Sequence, residues 1–182
     1  MRHMNLHIFD AALLRNAYAD YLETETGVWS LMGTGFTSLD ENPGAQTDSE
    51  TYVNEVTSSA SITGYETEFA YNSRMIPSED AIYVLWKDGR DHHIGDDAQH
   101  EYIRVDLFNP IGTPNDSKAE YTARKFIVAN EVSGVTGNGG EKIQVAVTLH
   151  AVGDPVQGKF DTVAKTWTEG DFSGKYDEGV SG

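Results

Sequence analysis

Residues 29–55 read WSLMGTGFTSLDENPGAQTDSETYVNE, and this stretch decides how the rest of the chain is interpreted. It begins as a short strand of alternating apolar and polar residues, which Gly33 and Gly35 interrupt. A polar segment continues to Glu50, and a second strand begins at Thr51. A loop of that length inside a compact domain is usually functional or disordered. The pattern therefore predicts a long projecting loop over residues 38–50.

Further strands are predicted where apolar and polar residues alternate. Residues 61–71 alternate strictly, with Phe69 and Tyr71 on one face and Glu66 and Glu68 on the other. The same pattern occurs in residues 102–108, 121–132, 143–151, 156–160 and 165–168. The turn TGNGGE at residues 136–141 joins two of these strands into a long β-hairpin. The last two form a closing hairpin.

A helix is predicted after Pro77. Ser78 is suited to be its N-cap, and Ile82, Leu85 and Trp86 form an apolar stripe at helical spacing. Gly89 is expected to end it. Six to eight strands with one such helix indicate a mainly β fold, either a β-sandwich or a partly closed β-barrel with one packed α-helix.

The chain is expected to form one domain with two extensions. Residues 1–15 are interpreted as an N-terminal extension or arm, although the spacing of apolar residues over 5–22 also fits a short helix. Residues 16–170 are expected to form the β domain. The glycine-rich residues 171–182 are expected to be a flexible C-terminal tail.

The charge is strongly acidic, with 29 Asp and Glu against 13 Lys and Arg and a net charge of −16. Residues 16–73 contain no Lys or Arg at all. A tight nucleic-acid binder needs such cations to neutralise phosphates, so tight DNA binding is excluded. Such a surface keeps a protein soluble, and it would also let a polyanion pass without sticking.

Residue types with catalytic or metal-binding chemistry are present but do not converge. His92, His93, Asp96, Asp97 and His100 are zinc-ligand types within nine residues, yet the pattern favours a solvated loop. Neither a nucleophile elbow nor a phosphate-binding loop occurs. No enzyme activity, cofactor or metal is expected. Membrane insertion is not expected either, because no stretch approaches the ~18 apolar residues of a span.

Four blocks of sequence carry a resemblance to a known family. They are MGTGFTSLDENPGAQTD at residues 32–48, SITGY at 61–65, ARKF at 123–126 and GDPVQGKF at 153–160. In their order and spacing they resemble the major tail (tail tube) proteins of long-tailed bacteriophages and related prophages. The resemblance implies a structural virion protein whose homohexameric rings stack into a tail tube, the conduit for DNA ejection into the host bacterium.

The resemblance also implies partners and locations. The partners are further copies of the chain, the tape measure, baseplate or tail-tip and terminator proteins, and double-stranded DNA that passes without specific binding. The locations are the virion tail and, during assembly, the host cytoplasm. The loop between the first strands is implied to contact neighbouring subunits through Thr37, Ser38, Leu39, Asp40, Glu41, Asn42 and Pro43. Acids on the early strands, Glu55, Glu66 and Glu68, are candidates to line the lumen.

Two alternatives stay open at this point. The inner tube of a contractile injection or secretion system would share the ring-stacking fold but pass proteins. A monomeric β-sandwich module would instead bind carbohydrate or a cell surface, with Trp29, Trp86 and Trp167 as possible stacking platforms.

Overall fold

The computed structural model describes residues 12–54 and 56–177. Within these residues the protein is mainly β, with one α-helix, α1 (Asp80–Asp91), and two short 3-10 helices, Arg15–Ala17 and Gly95–Ala98. The strands are β1 (Tyr18–Glu25), β2 (Val28–Leu31), β3 (Phe36–Asn42), β4 (Ala45–Glu50), β5 (Ser59–Tyr65), β6 (Glu68–Arg74), β7 (Gln99–Pro110), β8 (Glu120–Thr136), β9 (Gln144–Ala151), β10 (Val156–Asp161) and β11 (Thr166–Glu169).

Nine strands form one antiparallel sheet, whose main path runs β2-β1-β7-β8-β9-β6-β3. The long strand β8 serves two parts of this sheet. Its first half lies between β7 and β10, and its second half pairs with β9. Strands β4 and β5 pair only with each other, as a separate two-stranded hairpin.

The sheet curls so that its last strand, β3, returns to β1 and β7 without joining their ladder. Side chains close the gap, since Arg15 Nε and Arg104 Nη2 donate to the Leu39 carbonyl at 3.1 and 3.4 Å. The result is a half-barrel with one packed helix. The predicted fold class, mainly β and partly closed with one α-helix, is confirmed.

Two apolar cores lie on opposite faces of the shared strands. Phe69 and Tyr102, both fully buried, pack inside the curl with ring centroids 4.7 Å apart. Ile103, the next residue of β7, faces the second core, where Phe160 packs 4.6 Å from Tyr21. Adjacent residues of one strand thus face different cores, as the period of two requires. Burying each such large side chain contributes about 2–3 kcal/mol.

Helix α1 packs its buried residues Ile82 and Leu85 against the inside of the curl. Its predicted existence and apolar stripe are confirmed, but both predicted ends are wrong. Glu79 rather than Ser78 is the N-cap, and the helix passes through Gly89 to end at His92 in a left-handed conformation. A Cβ on Gly89 would lie 2.7 Å from the Val132 side chain, so this glycine permits the close approach of helix and sheet. No helix among the described residues is long and apolar enough to cross a membrane.

Several predicted elements are confirmed and others are corrected. The hairpins formed by β8 with β9 and by β10 with β11 are present. The predicted strand over 61–71 divides into β5 and β6, with Glu66 and Thr67 between them. The helix expected over 5–22 is wrong for residues 18–22, which belong to β1, and residues 5–11 lie outside the described part of the chain.

Residues 171–177 are the described part of the expected C-terminal tail. Tyr176 N donates to Asn109 Oδ1 at 3.0 Å, and Lys175 N donates to the Pro110 carbonyl at 3.0 Å. A Cβ on Gly174 would come within 2.3 Å of Asn109 Oδ1. This segment is therefore held against the end of β7.

Candidate functional surfaces

The segment Thr37 to Pro43, predicted as a projecting loop, is strand β3 followed by a turn. Leu39 pairs with Tyr71 of β6, and Asp40 pairs with Ala70. Leu39 is buried and Glu41 is turned inward, whereas Asp40 and Asn42 are exposed. The loop prediction is wrong because Glu41 is an acid at an inward position. The alternation of apolar and polar residues that marks a strand is therefore not visible in this sequence.

A projection exists, but it is the hairpin of β4 and β5. All six residues of β4 are exposed, and so are all residues of β5 except the half-buried Gly64. Its connecting loop exposes Val53 and Val56 completely, at 108 % and 103 % of their reference areas. The hairpin joins the sheet at Pro43 and Gly44, where Glu66 N donates to the Gly44 carbonyl at 3.0 Å. Exposed apolar side chains on a projection are typical of a protein contact.

The outer face of β3, β6, β9 and the second half of β8 carries small and polar side chains. It is opposite the face that packs on α1, because the buried residues of each strand alternate with these positions. The residues are Ser38, Asp40, Asn42, Glu68, Ala70, Asn72, Arg74, Ala129, Glu131, Ser133, Gly134, Thr136, Gln144, Ala146, Thr148 and His150. This outer face therefore has three acids and no large apolar residue among its described members.

The three candidate lumen acids fall in different places. Glu68 lies on the outer face, where its Oε1 is 3.1 Å from His150 Nδ1. His150 Nε2 is 2.7 Å from Glu131 Oε2, so the ring lies between two carboxylates. It can donate to both only when both ring nitrogens carry protons. Glu66 is exposed at the base of the hairpin, with its Oε2 3.2 Å from Gln46 Nε2. Glu55 lies outside the described residues.

A buried ion-pair network joins β1, β3, β7 and β8. Arg104 donates to Asp20 at 2.9 Å and to Glu41 at 2.8 Å, and Arg124 donates to Glu41 at 2.8 Å. The hydroxyl of Tyr102 also donates to Asp20. Burial alone would raise the pKa of Glu41, but the two guanidinium groups outweigh it and hold that pKa below its ordinary value. The sequence patterns do not reveal this network, because its members are distant along the chain.

The histidine-rich segment is organised around Asp88, a residue that the sequence interpretation missed. His93 Nδ1 and His100 Nε2 lie 3.0 and 2.6 Å from its two carboxylate oxygens, and Asn130 donates to it at 2.7 Å. Burial alone would raise the pKa of Asp88, but these hydrogen bonds lower it. The exposed His92 ends α1. Across the described residues, no three His, Asp or Glu side chains are arranged to hold a metal ion.

The three tryptophans do not form an exposed platform. Trp29 is buried, with its ring centroid 6.1 Å from that of Phe160, so it cannot serve as the stacking platform that the carbohydrate-binding alternative requires. Trp86 and Trp167 are partly buried against the first and second cores respectively.

Comparison with known proteins identifies the fold. No family model and no curated protein matches the chain. Among solved structures it matches a chain from the tail of an empty GTA particle, determined with helical refinement in C6 symmetry, with a TM-score of 0.53. The match covers 79 % of this chain and 97 % of that chain at 10 % sequence identity. The protein thus has the same fold as a chain in a sixfold-symmetric tail.

Proposed function

We propose that this protein is a structural tail protein that forms six-membered rings, which stack into a tube for the passage of double-stranded DNA. The observation that carries the proposal is the match in fold to a chain of a C6-symmetric tail, across nearly all of that chain. The four sequence blocks that resemble tail tube proteins support it independently. The protein then resides in the virion tail and is assembled in the host cytoplasm, with tape measure, tail-tip or baseplate and terminator proteins as further partners.

The surfaces described above supply the contacts that such an assembly needs. A head-to-tail contact that closes makes a ring, and a second one along the axis stacks the rings. The unpaired edges of the sheet are available for lateral contacts. Axial contacts are assigned to the β4–β5 hairpin and to Thr37 and Pro43, the exposed ends of the Thr37–Pro43 segment, whereas Asp40 and Asn42 lie on the outer face. Leu39 and Glu41 of that segment serve the fold of the subunit instead.

The outer face of β3, β6, β9 and β8 is assigned to the lumen. Its side chains are small or polar, and its acids Asp40, Glu68 and Glu131 repel phosphate. DNA carries one charge per about 1.7 Å of duplex, so a lumen rich in lysine or arginine would retain it. Glu66 stands at the edge of this face, and Glu55 is kept as a lumen candidate from the sequence.

The test is electron microscopy of the purified protein at rising concentration, alone and with tail-tip complexes as initiators. We expect tubes of uniform diameter whose end-on projections show sixfold symmetry. Lone monomers under every condition, including initiation, would overturn the proposal. A monomeric glycan-binding role is less well supported, since the burial of Trp29 removes one of its stacking platforms.

A further inference from the structure

A groove of about 590 Å³ opens where β3 begins and β6 ends. Four apolar side chains line it and two cations stand beside them. The apolar residues are Phe36, Met75, Ile76 and Ile143, and the cations are Arg74 and Lys142. Both cations are exposed, and within the described residues neither forms an ion pair. An apolar groove beside unpaired cations suits a partner that is apolar and acidic.

The β4–β5 hairpin lies at the other end of the same two strands. Phe36 of β3 pairs with Ser73 at the groove end, and Asn42 pairs with Glu68 at the hairpin end. Strands of this length separate their ends by roughly 20 Å, at about 3.3 Å per residue. The hairpin and the groove of one subunit therefore face opposite directions along β3 and β6.

The hairpin carries acids and exposed apolar side chains, which complement the cations and the apolar lining of the groove. Asp48 and Glu50 are exposed on β4, and no ion pair involves them among the described residues. No Lys or Arg occurs between Arg15 and Arg74, so the hairpin carries no cation of its own. Its loop exposes Tyr52, Val53 and Val56, which are the apolar groups to cover the floor of the groove.

We propose that the groove beside Arg74 and Lys142 receives the β4–β5 hairpin of a second copy of this chain. The inference rests on the proposed tube function and identifies the receiving surface of the axial contact. The apolar loop of the hairpin packs on Phe36 and Ile143, while Asp48 and Glu50 pair with the two cations. Because hairpin and groove lie at opposite ends, each copy receives one neighbour and enters another, so the contact propagates along an axis.

Charge reversal tests the inference. In the double variant Arg74→Glu/Lys142→Glu, the groove repels the acidic hairpin, and we expect the concentration needed for tube growth to rise roughly tenfold or more. The matched control Lys87→Glu/Lys175→Glu makes the same change in charge at two exposed cations outside the groove. It should assemble like the wild type. Circular dichroism and gel filtration establish that each variant is a folded monomer before assembly.

A compensating variant makes the test specific for pairing. Asp48→Lys/Glu50→Lys alone should also impair tube growth, and its combination with Arg74→Glu/Lys142→Glu in one chain should restore it. If the groove variant forms tubes at the wild-type concentration, or if the combined variant shows no rescue, the inference is overturned while the tube function stands. Failure of the wild-type protein to form tubes would instead overturn the proposed function.

Discussion

At the scale of single residues, the main feature is a pair of arginines that face each other across two strands. Arg104 and Arg124 are directly opposite in the β7–β8 register, and like charges in that position repel. Asp20 lies opposite Arg104 on β1, and Glu41 reaches both arginines from β3. The Arg104 side chain is 4 % exposed. Glu41 therefore stabilises the returning strand by neutralising charges that the curl has buried.

The variant Glu41→Gln tests this role. Removing one partner of a buried ion pair costs about 3 kcal/mol, so we expect a loss of that order in the free energy of unfolding at pH 7. The pKa of Glu41 is lowered in the folded state, so its contribution is complete above the ordinary value of 4.5 and is lost as pH falls below it. The difference between wild type and variant should therefore shrink in acid. Urea unfolding between about pH 7 and pH 3 measures it.

Asp40→Asn is the matched control, because Asp40 is the neighbouring acid on the exposed face of the same strand. It should leave stability nearly unchanged at every pH. A deficit for Glu41→Gln that stays constant from neutral to acid pH would show that the carboxylate charge is not what holds β3 in place.

At the scale of elements, the sequence was informative where apolar alternation and turn chemistry agreed. The hairpin of β8 and β9 was predictable because Val145, Val147 and Leu149 alternate next to a glycine-rich turn. Strand β4, with the sequence AQTDSE, has no apolar residue larger than alanine and is fully exposed, so it lacks the signal of a buried face. Strand β3 was missed because Glu41 lies inward. The helix was predictable, but Gly89 was read as its end although it serves close packing on Val132.

The candidate site was likewise only partly predictable from the sequence. Sequence blocks located the region around residues 32–48, but they could not distinguish the inward Leu39 and Glu41 from the projecting hairpin. Nor could they reveal the groove, whose Phe36, Arg74 and Lys142 come from three separate segments. Proximity of such residues depends on the register of β3, β6 and β9, which the linear pattern does not contain.

Shortening the β4–β5 hairpin tests its proposed role in the axial contact. Glu50 pairs with Ser59, so residues 51–58 can be replaced by Asn-Gly, a two-residue turn that suits paired strands. The subunit should keep its melting temperature within a few degrees, because none of the described residues in 51–58 belongs to either core. Tube elongation should be lost, as measured by electron microscopy and sedimentation.

The control replaces residues 162–165 of the β10–β11 turn with the same two residues, since Asp161 pairs with Thr166 there. The residues of that turn belong neither to the β4–β5 hairpin nor to the lining of the groove, so its variant should elongate normally if it remains folded. Long tubes from the variant that lacks residues 51–58 would remove the hairpin loop from the axial contact.

At the scale of the whole molecule, the acids that neutralise the buried arginines are different from the acids of the outer face, which the proposed function assigns to the lumen. The buried arginines are neutralised within the subunit by Asp20 and Glu41. The outer face keeps three acids, with Arg74 as the one cation among its described residues and only at the groove end. In a ring of six copies this face would present repeated carboxylates to a passing duplex. Part of the net charge of −16 would then lie on the surface that the DNA passes.

The double variant Glu66→Lys/Glu68→Lys tests whether this face lines the channel. We expect tubes to form, because both residues are at least partly exposed and neither lies in a core.

The lumen of the variant tubes should retain DNA that wild-type tubes release, and retention should weaken steeply with added salt as counterion release requires. Co-sedimentation of short duplexes with tubes measures retention, and DNA delivery by assembled particles should fall. The control Asp116→Lys/Asp171→Lys makes an equal charge change at two exposed residues that lie outside β3, β6, β8 and β9. Retention and delivery equal to those of this control would remove Glu66 and Glu68 from the lumen, because only charges that line the channel can distinguish the two variants.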